Sequence, residues 1–193
     1  MNKQCDYTNC SQELVGALTE LVRMALVDQF PQPRVEIGDS EHLLEALHAM
    51  RPKLGELSLF DGFTYIVKGQ WHDAIAVFEA LVARSVCMPG SRAMLVYCLG
   101  SSGNSDWRIV ANQALDEPLS ADANLLISSV TALQDMKQVR AEGAVSGKFV
   151  IPESVRPFAE MSAAQHGVQF AAPPLAEVNH ANVEIPLNGY LRL

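Results

Sequence analysis

The segment LGELSLFDGFTYIVKGQWHDAIAVFEALVAR, residues 54–84, decides the fold that we predict for this chain. Apolar residues of its first half cover much of a helical circumference, so that helix needs neighbours on more than one side. Apolar residues of its second half recur every three or four positions, which is the spacing of a buried helical stripe. Gly69 lies between the halves and can adopt the left-handed conformation that ends a helix. The segment therefore predicts an αα-hairpin that cannot bury its apolar surface alone.

Small and large residues in this hairpin follow the spacing of the tetratricopeptide repeat. Gly62 stands three positions before Tyr65, and Ala74 stands four positions before Phe78. Small residues let two helices approach closely, and aromatic rings fill the space beside them. Trp71 and Phe78 are predicted to be buried in this way. The residues with a predicted structural role are Gly62, Tyr65, Gly69, Trp71, Ala74, Phe78 and Trp107.

A repeat of 34 residues favours the same assignment. Gly103 lies 34 positions after Gly69, which is the length of one tetratricopeptide repeat. Trp107 follows Trp71 two positions out of that register, and Pro52 lies where a preceding repeat would end. The periodicity therefore predicts several stacked hairpins rather than one.

The flanking sequence supplies two more hairpins and a closing helix. Two helices are predicted before Pro52, separated by the segment FPQP at 30–33, and two more between Ser91 and Leu115. Residues 120–134 form a last helix that covers the open end of the stack, as terminal repeats require. The predicted fold is all-α: a tetratricopeptide-like stack of αα-hairpins, an α-α superhelix, with an irregular C-terminal extension.

We predict three parts, with the boundaries 1–10, 11–134 and 135–193. The first is a flexible N-terminus, the second is the helical domain, and the third is an extension that contains many prolines and glycines. The extension has room for one short helix near 155–165, and GAVSGK at 143–148 is interpreted as polar linker. Its spaced apolar residues predict transient docking on the helical domain, with disorder as the alternative. They are Phe149, Phe158, Phe170, Leu175, Tyr190 and Leu193.

Charge and composition argue against several classes of partner. The formal net charge is −8, with 14 Lys and Arg residues, whereas nucleic acids and anionic membranes need a basic surface. No apolar run approaches the ~20 residues of a membrane span. The first residues, MNKQCDYTNCSQE, lack the apolar core of a secretory signal. We therefore expect a protein that is made in the cytosol, with export by a route that needs no cleavable signal as the alternative.

No catalytic, cofactor or metal site is predicted. The glycine spacing of residues 143–148 is one residue short of a phosphate-binding loop, and no Ser or Thr follows the lysine. His42 and His48 lie six residues apart on one helix and are expected to face different sides, unlike a zinc-binding HExxH pair. The four cysteines form no CxxC pair, and Cys98 is interpreted as a core residue. The sequence therefore predicts a protein that is not an enzyme.

Stacked hairpins bind protein partners, because the first helix of each hairpin lines a concave face. Such a face receives peptides or amphipathic helices. The residues predicted to line it are Leu59, Phe63, Ile66 and Tyr97. The alternative is that they are ordinary core between repeats, although as a group they exceed what so short a stack requires. We predict a groove for another protein or for a second copy of the chain.

Residues 11–134 resemble the HrpB/HrpK family of bacterial type III secretion proteins. The resemblance is carried by HAMRPKLGEL at 48–57, FDGF at 60–63, GQWHDAI at 69–75 and DWR at 106–108. It implies a role in building the secretion apparatus through protein binding. Two mechanisms fit: a cytosolic chaperone that holds the helix of a needle or pilus subunit until export, or a periplasmic accessory protein that associates with itself. A tetratricopeptide-like scaffold unrelated to secretion is the third alternative.

Overall fold

The computed structural model describes residues 10–116 and 118–160, and all regular secondary structure in them is helical. The elements are α1 (Gln12–Leu26), α2 (Ile37–Met50), α3 (Leu57–Val67), α4 (Trp71–Ala83), α5 (Gly90–Ser102), α6 (Trp107–Leu115), α7 (Ala121–Ser146) and a 3₁₀ turn (Glu153–Val155). Of the predicted flexible segment 1–10, residues 1–9 lie outside the described residues. The predicted docking residues beyond 160 lie outside them as well.

Consecutive helices pack in pairs, and the pairs stack. α1 packs on α2, α3 on α4 and α5 on α6, while α2 contacts α3 and α4 contacts α5. α7 packs on α5 and, less extensively, on α6. Buried residues from all seven helices form one continuous core. The prediction of an all-α stack of αα-hairpins is confirmed.

The close contact of α3 with α4 involves Gly62 and Phe78. A Cβ placed on Gly62 would lie 2.6 Å from Cζ of Phe78, well inside the ~3.5–4.0 Å at which two carbon atoms pack best. Phe78 and Ala74, one turn before it, are fully buried. Trp71 is only partly buried, so the prediction that it is buried is wrong. It is the first residue of α4, and its indole packs beside Tyr97.

The 34-residue period corresponds to the same turn in two hairpins. Gly69 and Gly103 both have a positive φ, of 70° and 79°, and follow the first helix of their hairpins. The N–H of Gln70 donates to the carbonyl of Tyr65 at 2.8 Å, and the donor and acceptor 34 positions later make the same bond at 3.0 Å. Only glycine adopts this backbone conformation without steric cost. The turn is therefore a property of the repeat.

α7 is longer than predicted. The sequence placed a last helix at 120–134, whereas α7 spans Ala121–Ser146. Residues 143–146, interpreted as linker, are therefore helical, and that prediction is wrong. Gly147, with a φ of 69°, is the glycine that ends the helix, as its left-handed conformation allows.

Polar contacts accompany the second half of α7. Arg108 of α6 donates to Asp135 at 2.7 Å, and the hydroxyl of Ser154 donates to the other carboxylate oxygen of Asp135 at 2.8 Å. Gln138 donates to Glu142 one turn further along the helix, at 2.9 Å. Side-chain pairs at this spacing stabilise a helix. These contacts explain why the helix continues where its apolar pattern fades.

The described residues fall into two compact units. The first ends at Arg156 and contains α1 to α7. The second begins at Pro157, and its described residues, 157–160, are helical and lie within the short helix predicted near 155–165. The predicted boundary after residue 134 stays a prediction, although α7 runs through it.

Cys98 is a core residue, as predicted. Its side chain is fully buried in α5, and this burial raises the pKa of the thiol to about 12. Such a thiol stays protonated at neutral pH and is a poor nucleophile. Cys98 therefore packs as a small apolar residue.

Candidate functional site

The four residues predicted to line a groove differ in their exposure. Leu59, Phe63 and Ile66 share one side of α3 by their spacing, and Tyr97 lies on α5. Phe63 and Ile66 are each 5% exposed, whereas Leu59 and Tyr97 are partly buried. Of the four, Leu59 and Tyr97 therefore offer the most surface to another molecule. The binding role of all four stays a prediction.

Another aromatic side chain occupies the space between α3 and α5. Phe30 lies in the connection between α1 and α2, and its ring centroid is 5.4 Å from that of Phe63 and 5.1 Å from that of Tyr97. The ring planes meet at 82° and 72°, the edge-to-face arrangement that aromatic quadrupoles favour. Phe30 is itself only partly buried. The predicted groove is therefore filled by a side chain of the same chain.

These rings continue in both directions. The ring centroids of Phe63 and Phe78 are 6.3 Å apart, and those of Tyr97 and Trp71 are 6.2 Å apart. We call the set the aromatic row; in order it is Phe78, Phe63, Phe30, Tyr97 and Trp71. The row begins at the fully buried Phe78 and ends at the partly exposed Trp71. Its members come from all three hairpins, so the contacts between the rings join the hairpins to one another.

The chemistry of the aromatic row suits binding rather than bond making. Burial raises the pKa of Tyr97, an effect that a hydrogen bond with Ser101 partly opposes, so the phenol stays protonated at neutral pH. The other four rings carry no group that titrates. Aromatic side chains are enriched at the centre of protein–protein interfaces. The arrangement can therefore anchor an apolar partner.

A polar cleft of about 330 Å³ lies between α2 and α3. Nε2 of His48 lies 3.1 and 3.0 Å from the two carboxylate oxygens of Asp61, and Lys68 pairs with Glu41 at 2.6 Å. His42 borders the same cleft as His48, and the prediction that the two histidines face different sides of α2 stays a prediction. Within residues 10–116 and 118–160, no group of three or more His, Cys, Asp or Glu residues could hold a metal ion.

A further apolar surface lies on α1. Leu14, Leu21 and Met24 are 47%, 50% and 42% exposed, and Ala17 is exposed between them. The four positions alternate between three and four residues apart, which is the spacing of a coiled-coil seam. We call these residues the α1 stripe. It is an apolar helix face that the described chain leaves uncovered.

Sequence reasoning missed Phe30, because it interpreted the segment FPQP only as the end of a helix. A signal was present. The connection reads VDQFPQPRVE at 27–36, so its one aromatic residue stands among polar residues and prolines. A large apolar side chain in such a setting gains by packing against another part of the molecule. The sequence does not say which part that is.

The chain is similar to a known family over most of its described part. A family model described as bacterial type III secretion protein (HrpB1_HrpK) matches residues 5–137. The matched residues include the whole aromatic row, the polar cleft and the α1 stripe. No curated protein and no solved structure matches the chain. In the part of the chain that the structure describes, no helix combines the length and the apolarity that crossing a bilayer demands.

Proposed function

This chain belongs to the bacterial type III secretion protein family HrpB1_HrpK, and we propose that it helps to assemble the secretion apparatus by binding an apolar helix of another protein. The observation that carries the proposal is the aromatic row, which joins three hairpins and includes partly exposed rings. An amphipathic helix binds by laying its apolar face into such a surface. Rigid aromatic side chains supply much of the binding energy at interfaces of this kind.

The residues that we propose for binding have two roles. Leu59 and Tyr97 are partly exposed and make the first contact with the partner helix. Phe63 and Ile66 are buried and hold the surface in shape. A polar substitution of either buried residue would therefore test folding rather than binding.

The finer proposal is a chaperone for a needle or pilus subunit, one of the two mechanisms that fit the family resemblance. A subunit that polymerises through helices needs its apolar face covered until it is exported. The aromatic row supplies that cover without any chemical step. A net charge of −8 favours solubility of the resulting complex. We place this activity in the cytosol, where the subunit is made.

Replacing both Leu59 and Tyr97 by glutamine is expected to abolish co-purification with the needle or pilus subunit of the same secretion cluster. Both side chains are partly exposed, so their loss removes apolar binding surface while the buried core stays in place. The measurement is co-expression of the tagged protein with the subunit, followed by affinity purification. Far-UV circular dichroism of the variant should remain that of a helical protein.

A matched control for this experiment removes two apolar side chains from other helices. Ile109 of α6 and Leu125 of α7 are 58% and 50% exposed, and a variant with both changed to glutamine should bind the subunit like the unmodified protein. Undiminished binding by the folded Leu59→Gln/Tyr97→Gln protein would contradict the proposed site.

The second candidate is a self-associating accessory protein of the periplasm, and the α1 stripe favours it. Exposed apolar residues at coiled-coil spacing pair readily with a second helix. Leu21→Glu is expected to convert a dimer or larger assembly to a monomer, because pairing would bury an uncompensated charge. Sedimentation velocity of the two proteins measures this change. An equal mass for both would set the α1 stripe aside as the site of self-association.

A scaffold unrelated to secretion, the third alternative, is not proposed further, because the family to which the chain belongs is one of secretion proteins.

A further inference from the structure

The connection between α1 and α2, residues 27–36, places a side chain inside the binding surface proposed above. We call this segment the Phe30 loop. The ring of Phe30 packs edge-on against Phe63 of α3 and Tyr97 of α5, with 5.4 and 5.1 Å between centroids. A residue of the first hairpin thus takes the position that an apolar anchor of the partner would take. In the free protein, the ring of Phe30 therefore covers part of the proposed binding surface.

The Phe30 loop is held to the stack by few contacts. Its residues that pack against the core are Val27 and Phe30. Between described residues, its hydrogen bonds stay within the loop or reach α1 and the first turn of α2, the two helices that the loop directly connects. The attachment of the loop to α3 and α5 therefore depends on apolar contact, which an apolar side chain of another molecule can reproduce.

Phe30 differs from the aromatic residues of the core. Phe78 and Phe63 are 0% and 5% exposed and lie in α4 and α3, so neither can move without disturbing a helix. Phe30 is partly exposed and lies outside the helices. It can leave its position by a change in the loop alone. Segments with few buried contacts and no helical hydrogen bonds are the ones that open at low free energy.

We propose that the Phe30 loop is an internal competitor that closes the aromatic row until a partner side chain replaces Phe30. This inference rests on the proposed function. The replaced contacts define the partner chemistry: a helix that presents one large apolar side chain, aromatic or leucine, to the space between Phe63 and Tyr97. The loop keeps the apolar surface covered in the free protein.

The competition also sets a threshold for binding. A segment of the same chain has an effective concentration on the order of millimolar at its own site. The apparent affinity of any partner equals its affinity for the open form multiplied by the fraction of molecules in which the loop is open. A mostly closed loop therefore weakens binding. A weakly apolar helix therefore leaves the loop in place, whereas a helix with a strong anchor displaces it.

The experiment supplies the loop as a separate molecule. The probe is a fluorescein-labelled peptide of residues 27–36, VDQFPQPRVE, and the control peptide carries Phe30→Ala. Both are titrated by fluorescence anisotropy against the full-length protein and its variants Phe30→Ala and Phe30→Leu. We expect Phe30→Ala to bind the probe about tenfold or more tightly than the unmodified protein, since its own loop no longer competes. Phe30→Leu should lie between them, and the control peptide should not bind.

Three results would overturn the inference. Equal affinity of the probe for the unmodified protein and for folded Phe30→Ala would show that the loop does not compete. Absence of saturable binding to folded Phe30→Ala at about millimolar protein, the effective concentration of the tethered loop, would show that the site does not accept a separate segment. Unfolding of both Phe30 variants, seen by circular dichroism, would make Phe30 an ordinary core residue. No secretion protein enters this assay, so its outcome is separate from that of the co-purification experiment.

Discussion

Truncation of Phe78 to alanine is expected to lower the free energy of unfolding by about 3–5 kcal/mol, the range for deletion of a buried aromatic ring. Its ring is fully buried, lies against Phe63 at 6.3 Å between centroids and fills the space that Gly62 leaves open in α3. The cavity left by alanine would lie between the two helices of the central hairpin. The loss is a large share of the ~5–15 kcal/mol that stabilise a typical domain. Urea unfolding followed by circular dichroism measures it.

Trp71→Ala is the matched comparison for this prediction. Trp71 begins the same helix as Phe78 and is also aromatic, but it is only partly buried. Its truncation is expected to cost clearly less, because partly exposed atoms lose less contact with the protein and leave no enclosed cavity. An unchanged unfolding midpoint for Phe78→Ala would refute the packing of the central hairpin. Equal losses for both variants would show that the indole contributes as much as a core ring.

The stacked hairpins could be predicted because their signals are local. Gly69 and Gly103 mark the same turn one repeat apart, and each turn is closed by bonds within a few residues of its glycine. The apolar spacing of residues 54–84 likewise describes neighbours on one helix face. Signals of this kind are complete within a short window of sequence, so they identify elements and their pairing.

The second half of α7 and the position of Phe30 could not be predicted, because both depend on distant contacts. Arg108 can bind Asp135 only after α6 and α7 have packed together. An exposed polar helix also lacks the apolar stripe by which a helix is predicted from sequence. Phe30 meets Phe63 and Tyr97 from another hairpin. Periodicity predicts which helices line a concave face. It does not predict whether a side chain from elsewhere in the chain already fills that face.

In the second and third hairpins, the large and the small residue of equivalent buried positions lie on opposite helices. One repeat after Gly62 stands Val96, and the position of Phe78 in α4, counted from the first tryptophan of the helix, corresponds to Ala114 in α6. Val96, Phe78 and Ala114 are all fully buried. The larger residue is therefore on the second helix in one hairpin and on the first helix in the next. This exchange explains why the small-to-large pattern is visible in the central hairpin alone.

Adding one methyl group to Gly62 is expected to destabilise the protein, whereas adding it to Gly16 is expected to stabilise it. Both glycines lie inside helices, where alanine is favoured over glycine by about 0.5–1 kcal/mol. Nothing lies within 4 Å of a Cβ placed on Gly16, so Gly16→Ala should gain that amount. The Cβ of Gly62→Ala would meet the ring of Phe78 at 2.6 Å. Overpacking of a core costs about 1–3 kcal/mol, which outweighs the gain.

Shortening Phe78 in the same molecule tests whether its ring is the cause. Phe78→Leu alone leaves a void beside Gly62, but the methyl group of Gly62→Ala would enter that void. The cost of the double variant should therefore fall below the sum of the single costs by about 0.5–3 kcal/mol, the coupling found between residues in contact. Denaturant unfolding of the unmodified protein, both single variants and the double variant gives this coupling directly. Additive costs, or a Gly62→Ala protein as stable as the unmodified one, would show that α3 and α4 adjust freely and that Gly62 does not set their approach.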